Sequence, residues 1–209
     1  MKKKIAILGS TGSIGKSTLE VIRKDKKNFD IILLSANNNY KKLAEQAKQF
    51  RVKNVLIKNR KFHPKIKNLL KKTKTRVYSG EVSIKNIVSM KLDYTMSAVV
   101  GLAGLQPTID AIKISKNVAI ANKETIICGW NILFKNIKKY KTKIIPVDSE
   151  HFSIMELTKN VKNQEVEEII ITASGGPFLK TSFSKLKKIK PKEAIKHPNW
   201  KMGKKISVD

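Results

Sequence analysis

The sequence predicts an α/β fold built on a doubly wound, mostly parallel sheet. Three observations predict it. Short apolar runs alternate with amphipathic segments from residue 4 to residue 147, which is the rhythm of strand–crossover–strand units. A glycine-rich turn, Gly9-Ser10-Thr11-Gly12-Ser13-Ile14-Gly15, joins the first run to the first amphipathic segment. The chain has 209 residues, 41% of them hydrophobic, enough for one domain or for one domain and part of a second.

The elements follow in order. Residues 4–8 (KIAIL) form a strand that ends at the glycine turn. A helix comes next, with Leu19, Val21 and Ile22 apolar against Lys16, Glu20 and Arg23. Residues 29–35 (FDIILLS) are a second strand. Residues 40–50 place Leu43, Ala44, Ala47 and Phe50 at three- and four-residue spacing, one face of a helix. Residues 52–58 are a third strand, 63–72 a basic helix, 76–79 a fourth strand and 84–90 a short helix. Residues 93–100 are a fifth strand. Residues 105–113 are helical, with Pro107 tolerated in the first turn. Residues 117–121 form another strand, 124–138 a helix and 143–147 the next strand. Past Asp148 the rhythm changes. Residues 166–173 read as a long strand, Ser174-Gly175-Gly176-Pro177 breaks the chain, and the proline-interrupted stretch 191–202 is loop or very short helix. The division expected is a nucleotide-binding domain over 1–147 and the beginning of an α+β domain over 148–209.

Composition excludes several classes. No apolar run reaches the ~18 residues that span a bilayer. Met1-Lys2-Lys3-Lys4 is followed by only four apolar residues, so the N-terminus does not read as a signal peptide. A cytoplasmic protein without a membrane role is expected. The single cysteine, Cys128, cannot form an internal disulfide and is expected to be a small buried residue. Lys+Arg 44 against Asp+Glu 16 leaves a formal charge of +28, which ordinarily points to nucleic acid. Here nearly all the cations are lysines, spread from end to end, and asparagine and isoleucine are abundant as well. Codon bias explains that pattern better than selection for phosphate contacts, where arginine is favoured. No nucleic-acid partner is expected.

The glycine turn carries the first chemical signal. Gly9, Gly12 and Gly15 lie between a strand and a helix, the context of a Rossmann-type dinucleotide fingerprint in its G-x-x-G-x-x-G form. Glycine lets the backbone approach a pyrophosphate, and a helix N-terminus offers unpaired N–H donors. An ordinary strand-to-helix turn is the competing reading. The second strand ends in Asn37-Asn38-Asn39 with no carboxylate, and Lys41 and Lys42 follow. That favours the 2′-phosphate of NADP over the bare ribose of NAD, unless this is only an asparagine-rich loop. Asp148-Ser149-Glu150-His151 follows a strand. If extended, Asp148 and Glu150 point to one side and suit Mg²⁺ or Mn²⁺. By spacing alone, a solvated acidic turn is the commoner arrangement. Ser174-Gly175-Gly176 suits an anion-binding turn or a plain one. Trp200, near His197 in a Pro-interrupted loop, suits a core plug or a lid.

Together these segments resemble the N-terminal half of the 1-deoxy-D-xylulose 5-phosphate reductoisomerases. The matching stretches are ILGSTGSIGKSTL (7–19), SAVVGLAGLQPT (97–108), ANKET (121–125), PVDSEH (146–151), TASGGPF (172–178) and HPNWKMGKKISVD (197–209), in the family's order. The resemblance implies rearrangement of 1-deoxy-D-xylulose 5-phosphate, a phosphosugar, and its reduction with NADPH to 2-C-methyl-D-erythritol 4-phosphate, in non-mevalonate isoprenoid synthesis. It implies NADPH contacts from Gly9, Thr11, Gly12, Ser13, Ile14 and Gly15, from Asn37, Asn38 and Asn39, and from Asn122, Glu124 and Gly203. It implies Mn²⁺ or Mg²⁺ ligands at Asp148 and Glu150. Lys123, Ser149, Glu150, Ser174 and His197 are expected at the substrate, and Trp200 and Met202 in a lid over it. Lys123, Asp148, Glu150 and His197 are the expected catalytic residues.

Two departures accompany the resemblance. Asn37 and Asn38 stand where the family often has glycine and lysine, so Lys41 or Lys42 is expected to supply the cation. The family also continues for about as long again past residue 209, with a serine, an asparagine and a lysine for the substrate phosphate and a third acidic metal ligand. The full-length form is expected to be a homodimer. A truncated, inactive chain that binds nucleotide without chemistry is the alternative.

Overall fold

The computed structural model describes residues 1–171 and 175–198. Seven strands form one sheet: β1 (Lys3–Leu8), β2 (Phe29–Ala36), β3 (Asn54–Ile57), β4 (Arg76–Ser79), β5 (Leu92–Ser97), β6 (Ser115–Ile120) and β7 (Lys143–Pro146). Their spatial order is β4-β3-β2-β1-β5-β6-β7, and every pair is parallel. The chain therefore winds outward from β1 to β4, returns to the other side of β1 and winds outward again.

Parallel strands need crossovers, and helices supply them. They are α1 (Ser13–Lys24), α2 (Tyr40–Phe50), α3 (His63–Leu70), α4 (Ile84–Ile87), α5 (Leu105–Ile114) and α6 (Lys123–Tyr140). Leu19 and Ile22 of α1, Leu43, Ala44 and Ala47 of α2, and Ile66 and Leu70 of α3 pack with Ile5, Ile7, Ile31 and Leu34 on one face of the sheet. On the other face Ile84, Ile87, Ile109, Ile112 and Leu133 pack with Ala6, Leu8, Ile32 and Leu33. Consecutive residues of a regular strand point to opposite faces, yet Ile32 and Leu33 share a face. The register slips between Ile5 and Ala6, which pair with Ile31 and Leu33 and leave Ile32 as the extra residue of a bulge.

Several expectations meet different facts. Val21 of α1 is exposed, because α1 presents only Gly15, Leu19 and Ile22 to the sheet. Cys128 is exposed as well. The inward stripe of α6 is Thr125, Gly129 and Leu133, which leaves Cys128 on the outer side. The fifth strand stops at Ser97, before a turn in which Gly101 adopts φ 70°.

Residues 148–151 do not continue β7 as extended chain. They open α7 (Ser149–Thr158). The expected strand over 166–173 is not seen in its described part, residues 166–171, where Ile169, Ile170 and Ile171 are exposed. Val166 and the run Ile169–Ile171 are β-branched, as in a strand, but a strand exists only through a paired neighbour, and no described segment pairs with it. The chain divides into two compact units, Met1–Glu156 and Leu157–Asp209. The second contains two one-turn helices, α8 (Phe183–Leu186) and α9 (Pro191–Ala194).

Candidate functional site

The glycine turn is built where the winding reverses. β1 lies between β2 and β5, so the loop leaving β1 meets loops from both halves of the sheet. Such a switch point, outside the carboxyl ends of the strands, forms the ligand crevice of open parallel sheets. Gly9 has φ 80°, and a Cβ there would stand 2.6 Å from the carbonyl oxygen of Ala98, just past β5. At Gly15 a Cβ would stand 2.6 Å from Cα of Ser10. Both positions exclude a side chain by backbone contact. Gly12 is roomier and exposed, and its role is conformational: it precedes the first residue of α1.

The N–H groups of the loop divide into two sets. Gly9 and Ser10 donate to the carbonyl of Ser35 at the end of β2, at 3.1 and 2.9 Å, and Gly12 donates to Gly9. The N–H groups of Thr11, Ser13, Ile14 and Gly15 have no acceptor among the described residues. These donors open a twelve-residue helix, the arrangement that binds phosphate.

Two further details of this loop were not legible from its motif. Ser10 is fully buried, and its hydroxyl donates to Oε1 of Gln46 on α2 at 2.8 Å. The Gln46 amide donates back to the Ser10 carbonyl at 2.9 Å. The one signal in the sequence was a polar residue among Leu43, Ala44 and Ala47 on the inward stripe of α2.

Asn37, Asn38 and Asn39 follow β2 and are exposed. The Asn39 side chain caps α2 by accepting from the Lys42 N–H at 3.1 Å. Asn38 accepts from the Asn59 amide at 2.9 Å, and the Asn37 carbonyl accepts from the Asn59 N–H at 3.1 Å. Asn59, beyond β3, was also unforeseen. Of the two expected cations, Lys42 is paired with Glu45 at 2.9 Å. Lys41, on the same turn, forms no ion pair among the described residues.

After β6, Asn122 is buried and caps α6: its oxygen accepts from the Thr125 N–H at 3.2 Å, and its amide donates to the carbonyls of Val99 and Gly101, each at 2.6 Å. One side chain thus ties the β5 loop to the head of α6. Lys123 is exposed and Glu124 half-buried beside it. Glu124 also places its charge in the first turn, where it complements the helix dipole.

After β7, Asp148 caps α7. Its Oδ1 accepts from the His151 N–H at 2.8 Å and meets His151 Nδ1 at 2.5 Å. Burial opposes ionisation of Asp148, but these hydrogen bonds outweigh it and hold the carboxyl below its ordinary range. The extended geometry expected for Asp148 and Glu150 is replaced by a helix start, with Ser149 and Glu150 exposed on its first turn. The two carboxylates remain two residues apart. Among the described residues no group of three or more His, Cys, Asp or Glu side chains could hold a metal ion.

In the second unit, His197 is half-buried in the segment after α9, and Gly175 and Gly176 have φ 78° and 61°. Ser174, Trp200, Met202 and Gly203 lie outside the described residues. All other expected cofactor and metal residues follow the carboxyl ends of β1, β2, β6 or β7. A parallel sheet whose switch point carries a glycine loop, open N–H donors and a capped helix on each side is the architecture of the dinucleotide-binding class of α/β folds.

Comparison with known proteins then gives the family. Residues 5–129 match the model of 1-deoxy-D-xylulose 5-phosphate reductoisomerase, and residues 144–209 match that of its C-terminal domain. The chain belongs to the 1-deoxy-D-xylulose 5-phosphate reductoisomerase family. It is 54% identical over 209 residues to the reductoisomerase of Pelagibacter ubique, covering 99% of this chain and 54% of that protein. It is 44% identical over 208 residues to that of Wolbachia pipientis, with 99% and 53% covered. Among solved structures, the Zymomonas mobilis reductoisomerase in complex with NADPH superposes with TM-score 0.89 at 35% identity, covering 95% of this chain and 52% of that one. A DOX-P reductoisomerase in complex with NADPH, fosmidomycin and magnesium gives 0.88 at 32% identity, covering 99% and 54%. The chain spans about half the length of the curated relatives it matches.

Proposed function

We propose that this chain forms the cofactor-binding part, and the beginning of the metal and substrate site, of an NADPH-dependent enzyme. That enzyme rearranges and reduces 1-deoxy-D-xylulose 5-phosphate to 2-C-methyl-D-erythritol 4-phosphate. The observation that carries the reading is the set of unpaired N–H groups at Thr11, Ser13 and Ile14, held at the switch point by glycines that admit no side chain. Relatives of the same fold were solved with NADPH and with magnesium.

The residues fit the nucleotide. The glycine loop offers donors to the pyrophosphate, Asn37, Asn38 and Asn39 border the adenosine ribose, and Lys41 supplies charge for its 2′-phosphate. Asn122 and Glu124 stand at the head of α6, on the nicotinamide side. When bound, NADPH supplies a hydride and the divalent cation supplies Lewis acidity toward the substrate's oxygens. The cation would be held by Asp148 and Glu150, two hard oxygen donors that make up only part of a shell for Mg²⁺ or Mn²⁺. His151 orients the Asp148 carboxylate and favours its ionised form. Lys123, Ser149, Ser174 and His197 are assigned to the phosphosugar, with Trp200, Met202 and Gly203 in the segment that closes over it. The boundary between the two functional parts is placed at residues 147 and 148. The reading gives the lysine excess no nucleic-acid role. It takes the longer form to be a cytoplasmic homodimer.

A second reading has a specific observation behind it: among the described residues no third acidic, His or Cys side chain joins Asp148 and Glu150 in a metal-holding group. In that reading the 209-residue chain binds NADPH and does not turn substrate over. One experiment separates the possibilities. The purified chain is titrated with NADPH and NADH by nicotinamide fluorescence, then assayed with substrate and Mn²⁺. NADPH should bind more tightly than NADH, since no acid ends β2. Equal affinities, or a preference for NADH, would overturn the cofactor assignment. Substrate-dependent oxidation of NADPH would discard the second reading.

A further inference from the structure

We infer that Gln46 is a positioning residue of the cofactor site, a buried clamp that keeps the phosphate-binding loop open. The inference rests on the NADPH reading above and extends it to a residue that does not itself touch the cofactor.

Gln46 is 3% exposed and Ser10 is 0% exposed. Both ends of the Gln46 amide engage Ser10. The hydroxyl of Ser10 donates to Oε1 at 2.8 Å, and Nε2 donates to the Ser10 carbonyl at 2.9 Å. The two residues are 36 apart in the chain, so the pair joins the β1–α1 loop to the middle of α2.

The consequence lies in the carbonyl. In an α-helix the carbonyl of residue i accepts from the N–H of residue i+4. For Ser10 that donor would be Ile14. Gln46 draws the Ser10 carbonyl toward α2, and the Ile14 N–H is left without an acceptor among the described residues. Were the carbonyl to turn back, α1 would begin two residues earlier. One of the open donors would then be spent, and a carbonyl oxygen would face the pyrophosphate. On its other side Ser10 is held by its own N–H, which donates to Ser35. Ser10 is thereby fixed in place, and the loop is set before ligand arrives. Such pre-organisation strengthens binding by removing an ordering cost.

The clamp also has a place in specificity. α2 is the helix whose N-cap is Asn39, beside the ribose. Gln46 therefore fixes the distance between the two ends of the adenosine diphosphate that the site must grip.

The test replaces Gln46 by methionine, which keeps the length and removes both hydrogen bonds. It reads NADPH affinity by fluorescence, binding of adenosine 2′-monophosphate by calorimetry, and the melting temperature of the full chain. Gln46→Met should weaken NADPH about tenfold or more, as two buried hydrogen bonds are lost. Adenosine 2′-monophosphate has no pyrophosphate, and its affinity should stay within about twofold. Equal loss of both ligands would show that α2 itself has moved and would overturn the clamp. So would an unchanged affinity for NADPH in the folded variant. Should Gln46→Met fail to fold, Gln46→Glu decides the matter. Its carboxylate accepts from the Ser10 hydroxyl but cannot donate to the carbonyl, and NADPH must weaken as much. Wild-type affinity in Gln46→Glu overturns the inference. Failure of the unsubstituted chain to bind NADPH overturns the cofactor reading, and this inference with it.

Discussion

Single residues in this sheet differ sharply in how much freedom their surroundings leave. Gly15 is an extreme case: any Cβ would meet Cα of Ser10 at 2.6 Å, and Ser10 cannot yield because Gln46 and Ser35 hold it. Gly15→Ala should therefore destabilise the chain by about 2 kcal/mol, the ordinary cost of forcing an extra group into packed backbone. Urea unfolding measures this, and a change near zero would show that the loop is looser than described. Asp93 behaves differently, through charge. Hydrogen bonds from the Lys116 ammonium and the Lys4 N–H hold its carboxyl below the ordinary range, against the opposing effect of burial. A depressed folded-state value means that stability is present above the unfolded pKa of ~3.9 and is lost as pH falls through the folded value. Asp93→Asn should lower the urea midpoint at neutral pH, and the deficit should shrink as the pH drops below about 4. A deficit constant with pH would assign the effect to shape rather than charge.

At the scale of the element, the helix caps carry unequal weight. Asn39 on α2 is exposed and makes one capping bond, whereas Asn122 on α6 is buried and makes three hydrogen bonds. Asn39→Ala should cost about 1 kcal/mol. Asn122→Ala should cost about twice that or more, because two carbonyls of half-buried residues and the buried Thr125 N–H lose their partner. Thermal melting of the two variants side by side tests the ranking. The elements also show what could be read from the sequence. α2 and β4 fall where the pattern put them: Leu43, Ala44 and Ala47 recur at helical spacing in α2, and Val77 and Tyr78 mark β4 as a short strand. The helix after β7 was missed for a physical reason: α7 has no buried residue, so no apolar stripe announces it. Its start signal was Asp148 itself, a capping residue read as a metal ligand in extended chain. The run 166–171 misled in the opposite sense, since its β-branched residues favour a strand that only a neighbour can complete. Of the candidate site, the glycine loop was legible because its spacing is local. Gln46, Asn59 and the double grip of Asn122 were not, because each acts on a loop more than 20 residues away.

For the molecule as a whole, the seven strands and their covering helices lie within the unit Met1–Glu156. Among the described residues, both faces of the sheet are packed by residues of that unit. A chain ended at Glu156 should fold cooperatively and keep its affinity for NADPH, with one unfolding transition by circular dichroism. Loss of cooperativity would show that residues 157–209 complete the core. In the full chain, limited proteolysis should cut first within 157–198, where exposed Ile169, Ile170, Leu179 and Phe183 accompany only short helices.

The position of β1 between β2 and β5 has a kinetic consequence. The pairs β1–β2, β2–β3 and β3–β4 close over short stretches of chain, but β1 meets β5 across a separation of 89 residues, as between Lys4 and Asp93. Loop-closure entropy makes so distant a pairing slow to nucleate. The half-sheet β1–β4 can assemble first and dock β5–β7 afterwards, and the crevice at Gly9 and Ala98 exists only once that docking is complete. A nucleotide cannot bind to what has not yet formed. NADPH should leave the refolding rate almost unchanged and slow unfolding instead, so that the bound cofactor acts as a latch on the finished sheet.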